Sequence, residues 1–270
     1  MSSFSITNSY HNLNNLNRVN KSAQTSMQRL ATGSKINGAK DDPAAYAILS
    51  RMNVNIGATS QRNDNVQNTN AMLRTTTTGS ENIMSALDTI RSNLTELQNT
   101  ATGDVSIASK NINNALASID GTAGSTQYNG KNLLDGSATI TMPSGQGYSQ
   151  VNLPNLTTSG LGLTDSEGNS TFDLSSREGV QSAHDQVESA MNQVLDSQTT
   201  IGAIQQGLEY ASDNYTVQEE NLMASASTMG DTDMAKEITN LKSAQTQEQL
   251  ATFAQKMYMH QSAAVLSLLR

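Results

Sequence analysis

The sequence predicts a mainly α protein: a long antiparallel helical coiled-coil bundle with one small β-hairpin region. Of 270 residues only 36% are hydrophobic and 4% aromatic, with no Trp and 3 Pro. That is thin material for a sandwich or an α/β barrel, yet enough for long helices meeting along narrow seams. Apolar residues also recur in steps of three, four and seven over most of the chain. Finally, the first and last forty residues each read as an amphipathic helix with no core of its own, so each needs a partner in the other end or in other copies of the chain.

Taken in order, Leu13, Leu16, Val19, Ala23, Met27 and Leu30 form one stripe, which should stop near Ala31-Thr32-Gly33. Asn37-Gly38 marks a turn, and Asp42 and Pro43 supply an N-cap and a first helical residue. From Pro43 to about Ala101 the stripe includes Ile48, Met52, Ile56, Val66, Leu73, Ile83, Leu87, Ile90, Leu94 and Leu97, a helix on the order of 85–90 Å long. Asn63 and Asn70 interrupt its apolar positions and serve to fix register. Its expected weak point is Thr75–Gly79, four β-branched residues and a glycine.

Gly103-Asp104 breaks and recaps, and Ala108, Ile112, Ala115, Leu116 and Ile119 predict a shorter helix to about Asp120. Over about 136–172 the period changes to two in Ala138–Met142 and Tyr148–Leu153, separated by Pro143-Ser144-Gly145, a single hairpin in irregular chain. Val180, Val187, Val194, Ile201, Ile204, Leu208 and Leu222 then carry the most regular stripe, a natural partner for 43–101. After Gly230, with Thr232 or Asp233 as cap, Met234, Ile238, Leu241, Leu250, Phe253, Met257, Val265 and Leu268 form a last helix expected to pair with residues 5–31. The expected domains are therefore residues 1–42 plus 231–270, a terminal-helix module, and residues 43–230, a helical rod.

Charge separates along the same lines. Residues 1–42 hold five Lys/Arg against two Asp/Glu, residues 43–230 seven against eighteen, and residues 231–270 four against four. An acidic middle and the lack of a basic stripe with aromatic stacking partners argue against nucleic acid. No run approaches the roughly 18 apolar residues that cross a bilayer, and residues 1–30 lack the apolar core of a secretory signal. The basic, Ser-rich start also fits an organellar transit peptide, which would leave the matching C-terminal helix unexplained.

The chain has no Cys, hence no disulfides, thiolate ligands or cysteine nucleophile. His11, His184 and His260 fit no His-Glu-x-x-His pattern and read as surface or seam residues. Gly121-Thr122-Ala123-Gly124 lacks the lysine of a phosphate loop and reads as a set of turn formers. Adjacent Glu219-Glu220 point apart on a helix, and Asp41-Asp42 are explained by a cap. No catalytic constellation, metal site or cofactor is expected. The twelve Met residues, Met223, Met229, Met234, Met257 and Met259 among them, fill seams or make an adaptable binding surface.

Three segments resemble one family. Met27-Gln28-Arg29-Leu30-Ala31-Thr32-Gly33-Ser34-Lys35-Ile36-Asn37 with Ala39-Lys40-Asp41-Asp42-Pro43-Ala44 is similar to the N-terminal signature of bacterial flagellins. Tyr128-Asn129-Gly130-Lys131-Asn132-Leu133-Leu134-Asp135-Gly136 resembles the segment after that family's second rod helix, and Ala263–Arg270 its C-terminal end. The resemblance implies an extracellular subunit that passes through the flagellar type III route without a cleaved signal peptide. It also implies a homopolymer with terminal helices in the inner core and the rod as outer shell. Implied partners are an export chaperone at the C-terminal helix and the filament cap and hook-junction proteins. With only about 37 residues between the helical halves, it looks like a short form without variable outer domains.

Relatives detected by the mammalian flagellin-sensing Toll-like receptor carry Arg-x-Arg-Glu-Leu late in the first rod helix and a Glu on the second. Here those positions are Asn93, Thr95 and Asn111, which implies weak or absent activation. The rival readings are a hook–filament junction protein with family-like ends, an exported coiled-coil effector or adhesin, and an enzyme carrying a catalytic insert.

Overall fold

The computed structural model describes residues 2–99, 104–144, 147–165 and 168–268. The side chains of residues 2–9, 99, 143–144, 147–148, 262 and 264–268 fall outside the description. Gly103, Gly145 and Arg270, and the side chains of Val265 and Leu268, therefore lie outside the described set. Five helices are described, α1 (Ser2–Thr32), α2 (Pro43–Asn99), α3 (Val105–Ser125), α4 (Arg177–Gly230) and α5 (Met234–Leu268), with strands β1 (Gln127–Tyr128), β2 (Lys131–Asn132), β3 (Thr139–Ser144) and β4 (Gly147–Asn152). The chain divides into two compact units, residues 1–58 with 219–270 and residues 59–218. The division falls inside α2 and α4, whereas the sequence drew it at the loops near 42 and 230.

In the unit of residues 59–218, α2, α3 and α4 enclose a continuous apolar core. Leu73, Ile83, Leu87, Ile90 and Leu94 come from α2, Ile112, Leu116 and Ile119 from α3, and Val187, Val194, Ile201, Ile204 and Leu208 from α4, all buried. Leu97 packs on the edge of this core. Hydrogen bonds fix the directions. Ser212 Oγ donates to Asn63 Oδ1 at 2.6 Å and Gln98 Nε2 to Gln181 Oε1 at 2.5 Å, so α2 and α4 are antiparallel. Asn63 thus bonds across to α4, where a polar residue in a seam can set register.

The helix α2 continues through Thr75–Gly79, where a weak point was expected. The hydroxyls of Thr75, Thr76, Thr77 and Thr78 donate to carbonyls four residues earlier at 3.0–3.2 Å, so they are satisfied within the helix. Thr76 and Ser80 are fully buried. A Cβ on Gly79 would lie 2.6 Å from Thr126 Oγ1 and 2.7 Å from Leu134 Cδ1, so the glycine admits the chain that follows α3.

Asp104 caps α3 by accepting from Ser106 N at 3.1 Å. The helix runs past Asp120 to Ser125, which places Gly121 and Gly124 within a helix and not in turns. Burial of Ile119 and Ala123 against the core holds that extra turn. A strand pair unforeseen from the sequence follows, β1 with β2, its two-residue turn formed by Asn129 (φ 50°) and Gly130 (φ 76°). This is the Asn-Gly hairpin turn that matches strand twist. The expected hairpin is β3 with β4, pairing Ile140 with Val151 and Thr141 with Gln150. Its Ile140 enters the core, as do Leu153, Leu156, Leu161 and Leu163 from the chain beyond. Asp120 ties that chain to α3, accepting from Thr158 N at 2.9 Å and Thr158 Oγ1 at 2.7 Å.

The start of α4 is a knot of short polar contacts. Asp173 accepts from Ser175 N and Oγ and from Ser176 Oγ, and Ser176 Oγ accepts from Gly179 N at 3.0 Å. The Ser175 hydroxyl first, then its N–H and the Ser176 hydroxyl, hold the Asp173 carboxyl below its ordinary 3.8. A carboxyl depressed in the folded state contributes stability that is present above its unfolded value and lost as pH falls through the folded one. Asp173→Asn should therefore lower stability at neutral pH and flatten the decline below about pH 3.8, as read by helicity against denaturant at stepped pH. An unchanged acid limb would count against this role.

In the other unit, α1 and α5 lie antiparallel. Ser34 bridges Asp231, Lys35 N donates to the Gly230 carbonyl, Thr232 N to the Gly33 carbonyl, and Arg29 faces Glu237 at 3.9 Å. Their seam is narrow and small: Val19, Ala23 and Ser26 of α1, Ala244 of α5, with Leu241 beside them. Gly33 ends α1 at φ 70°. Asp42 caps α2, accepting from Ala44 N and Ala45 N, and Asp233, not Thr232, caps α5 by accepting from Lys236 N at 3.1 Å. Leu49 packs on Gly230, with room for no Cβ without a shift.

Candidate functional site

Each helix of the terminal pair has one apolar stripe, but the pairing covers only part of it. Leu16 and Leu30 are half-buried, whereas Leu13 and Met27 are exposed on α1. On α5, Leu250 and Phe253 are each 63% exposed and Met257 58%. These three recur at i, i+3 and i+7, so they form one outward stripe. Ile238 and Met234, near the start of α5, are exposed as well. Within the chain Val19 and Leu241 pack in the seam, while Leu13, Met27, Ile238, Leu250, Phe253 and Met257 are exposed. The small seam explains it, since two helices in close contact bury only their facing residues.

The same unit holds Ile48, Met52, Ile56 and Leu222, expected among the packing residues of the rod. Met52, Ile56 and Leu222 are half-buried and Ile48 is 44% exposed. The layer laid over α2 in the rod touches it farther along, where Asn111 of α3 bonds Asn93 and the chain after α3 passes Gly79. Val54 and Tyr46 of α2 and Met223 of α4 are exposed as well. Sequence reasoning passed over Ser26, Ala244 and Glu237, which make the seam; small residues at i and i+3 on α1 were the available signal.

The rod also exposes Val105, Ile107, Leu195, Tyr210 and Val217, and its clefts and side-chain clusters are polar. A cleft of about 720 Å³ between α2 and α4 is lined by Asn70, Arg74, Gln205, Glu209 and Asp213 over Val66. His184, Asp185 and Glu188 bring ligand atoms within 4.8 Å of one another on α4, at a wetted surface where Asp185 already accepts from Gln181. Near the other end of α3, Asn111 Nδ2 donates to Asn93 Oδ1 at 3.2 Å and Thr95 Oγ1 to the Arg91 carbonyl at 2.8 Å. The three positions that depart from the Arg-x-Arg-Glu-Leu pattern and its partner Glu are thus neutral side chains bonded locally. Among the described residues no helix is long and apolar enough to cross a membrane.

A rod with a closed core, joined in sequence to helices whose apolar faces stay uncovered, defines a self-associating helical structural protein. Known proteins say which. The model of the bacterial flagellin N-terminal helical region matches residues 5–139, and that of the C-terminal helical region matches residues 184–269. The flagellin of Bacillus subtilis (strain 168) is 29% identical over 300 residues, covering 96% of this chain and 97% of that protein. The flagellar filament 30.7 kDa core protein of Treponema maltophilum is 28% identical, covering 91% and 94%. A putative flagellar hook-associated protein from Vibrio parahaemolyticus shares the fold, with a TM-score of 0.57, 16% identity, and coverage of 71% of this chain and 100% of that one. The chain belongs to the bacterial flagellin family, the structural subunits of the flagellar filament.

Proposed function

We propose that this chain polymerises with copies of itself, its terminal helices (1–42 and 231–270) forming the inner core and its rod (43–230) the outer shell of a filament outside the cell. The observation that carries this reading is the outward stripe of Leu250, Phe253 and Met257 in a chain whose rod buries a core of its own. Ordering a helix costs roughly 1–2 kcal/mol per residue in backbone entropy, and burial between subunits at about 25 cal/mol per Å² offsets what the monomer leaves uncovered. The subunit leaves the cell by the flagellar type III route. A chaperone covers the C-terminal helix before export, and cap and hook-junction proteins meet the growing ends. Its role is structural and not catalytic.

The test is electron microscopy of purified full-length protein after salting-out or seeding. Long filaments are expected. Short assemblies or none would shift the reading to a hook–filament junction protein, which the fold shared with the Vibrio protein favours as the second choice.

At the rod surface, two arginines and a glutamate of receptor-detected relatives are replaced by Asn93, Thr95 and Asn111. Each loss removes a charge-assisted hydrogen bond of about 1.5–3 kcal/mol where one was made. Purified monomer at nanomolar dose should give weak or no signal from the flagellin-sensing Toll-like receptor in a reporter cell line. A strong signal at that dose would refute the assignment.

A further inference from the structure

We infer that methionine thioethers on the uncovered faces make assembly sensitive to oxidants: hydroperoxides modify the free subunit at these sulfurs and block its addition to a filament. Met27, Met223, Met234, Met257 and Met259 are 46–63% exposed, whereas Met72, Met84, Met142 and Met191 pack against the rod core. All five exposed sulfurs belong to the unit of residues 1–58 and 219–270. Met257 sits in the outward stripe with Leu250 and Phe253. The chain has no Cys, so no thiol competes for the oxidant. The inference rests on the filament reading, in which neighbours cover the terminal helices and also the ends of α2 and α4 that share their unit, Met223 included.

The chemistry is a two-electron oxygen transfer. A thioether lone pair attacks one oxygen of hydrogen peroxide, an S–O bond forms as the O–O bond breaks, and the proton on the transferred oxygen passes to the departing hydroxide. The sulfur is oxidised to a sulfoxide and the peroxide is reduced to water. A flexible apolar side chain becomes a polar one with a strong acceptor oxygen. Burying that oxygen between subunits without a donor disfavours association by about tenfold or more per site. Exposure governs the rate, so the free subunit is vulnerable and the assembled one is protected.

The experiment treats full-length monomer with hydrogen peroxide, quenches it, maps sulfoxides by peptide mass spectrometry and follows seeded elongation. Sulfoxide should accumulate first at the five exposed residues, and elongation should fall by about tenfold or more. Incubation with both methionine sulfoxide reductases and a dithiol reductant, one enzyme for each epimer, should restore it. Filaments grown before treatment should stay unmodified at the five positions.

A Met27→Leu, Met223→Leu, Met234→Leu, Met257→Leu, Met259→Leu chain, compared only with its own untreated sample, should lose the sensitivity. Elongation at the untreated rate by monomer carrying these sulfoxides would overturn the inference, as would inhibition that survives the reductases. Untreated monomer that fails to elongate would instead overturn the filament reading, and this inference with it.

Discussion

Removing residues 1–42 should abolish filament growth while leaving the rod folded, and Phe253→Asp should reproduce the loss in a full-length chain with its fold intact. The deletion takes away α1 and with it Val19, Ala23 and Ser26, the surface on which Ala244 and Leu241 of α5 rest. The core of residues 59–218 draws nothing from the deleted segment. Phe253 is 63% exposed, so an aspartate there changes the monomer by no more than about 0.5 kcal/mol. In a filament the same change forfeits about 1.5–3 kcal/mol of phenyl burial and adds the cost of an unpaired carboxylate away from water. A loss of about 4 kcal/mol per subunit raises the critical concentration roughly a thousandfold. Circular dichroism reads the fold and pelleting reads the polymer; growth of Phe253→Asp near the parent concentration would remove α5 from the assembly surface.

Why Phe253 faces outward while Leu241 faces α1 shows where sequence reading stops. Helical stripes in steps of three, four and seven were legible, as were the caps Asp42 and Asp104 and the long antiparallel partners. A stripe is a local property, however, and a helix at 3.6 residues per turn makes two and a half turns in nine residues, which puts positions nine apart on opposite faces. Leu241 and Leu250 are nine apart, so one meets α1 and the other meets solvent, although both read as members of a single stripe. The two compact units also part within helices, near residues 58 and 218, where a local pattern carries no mark. Periodicity continues through α2 and α4 there. The β1–β2 turn was legible in Asn129-Gly130, but two-residue strands leave no alternation to accompany it.

Gly79 is the position where the misreading is most instructive, and it yields a prediction with opposite signs on one helix. Gly57→Ala places a methyl group where nothing lies within 4 Å and should stabilise α2 by about 0.5–1 kcal/mol, the ordinary gain of alanine over glycine in a helix. Gly79→Ala earns the same intrinsic gain but drives its Cβ to 2.6 Å from Thr126 Oγ1, 2.7 Å from Leu134 Cδ1 and 2.8 Å from Thr126 Cγ2. Neither neighbour yields freely. Thr126 is β-branched and its hydroxyl donates to the Thr122 carbonyl at 2.7 Å, closing the end of α3, and Leu134 is fully buried. Overpacking of this kind costs about 1–3 kcal/mol, so the net effect is destabilising, and Gly79→Val should be worse because a branched side chain also has lower helix propensity. Urea unfolding followed by helicity separates the outcomes. If Gly79→Ala matched or exceeded the parent in stability, the close approach of the Thr126–Leu134 segment would not be what requires glycine, and the threonine run would again be a weak point relieved by alanine.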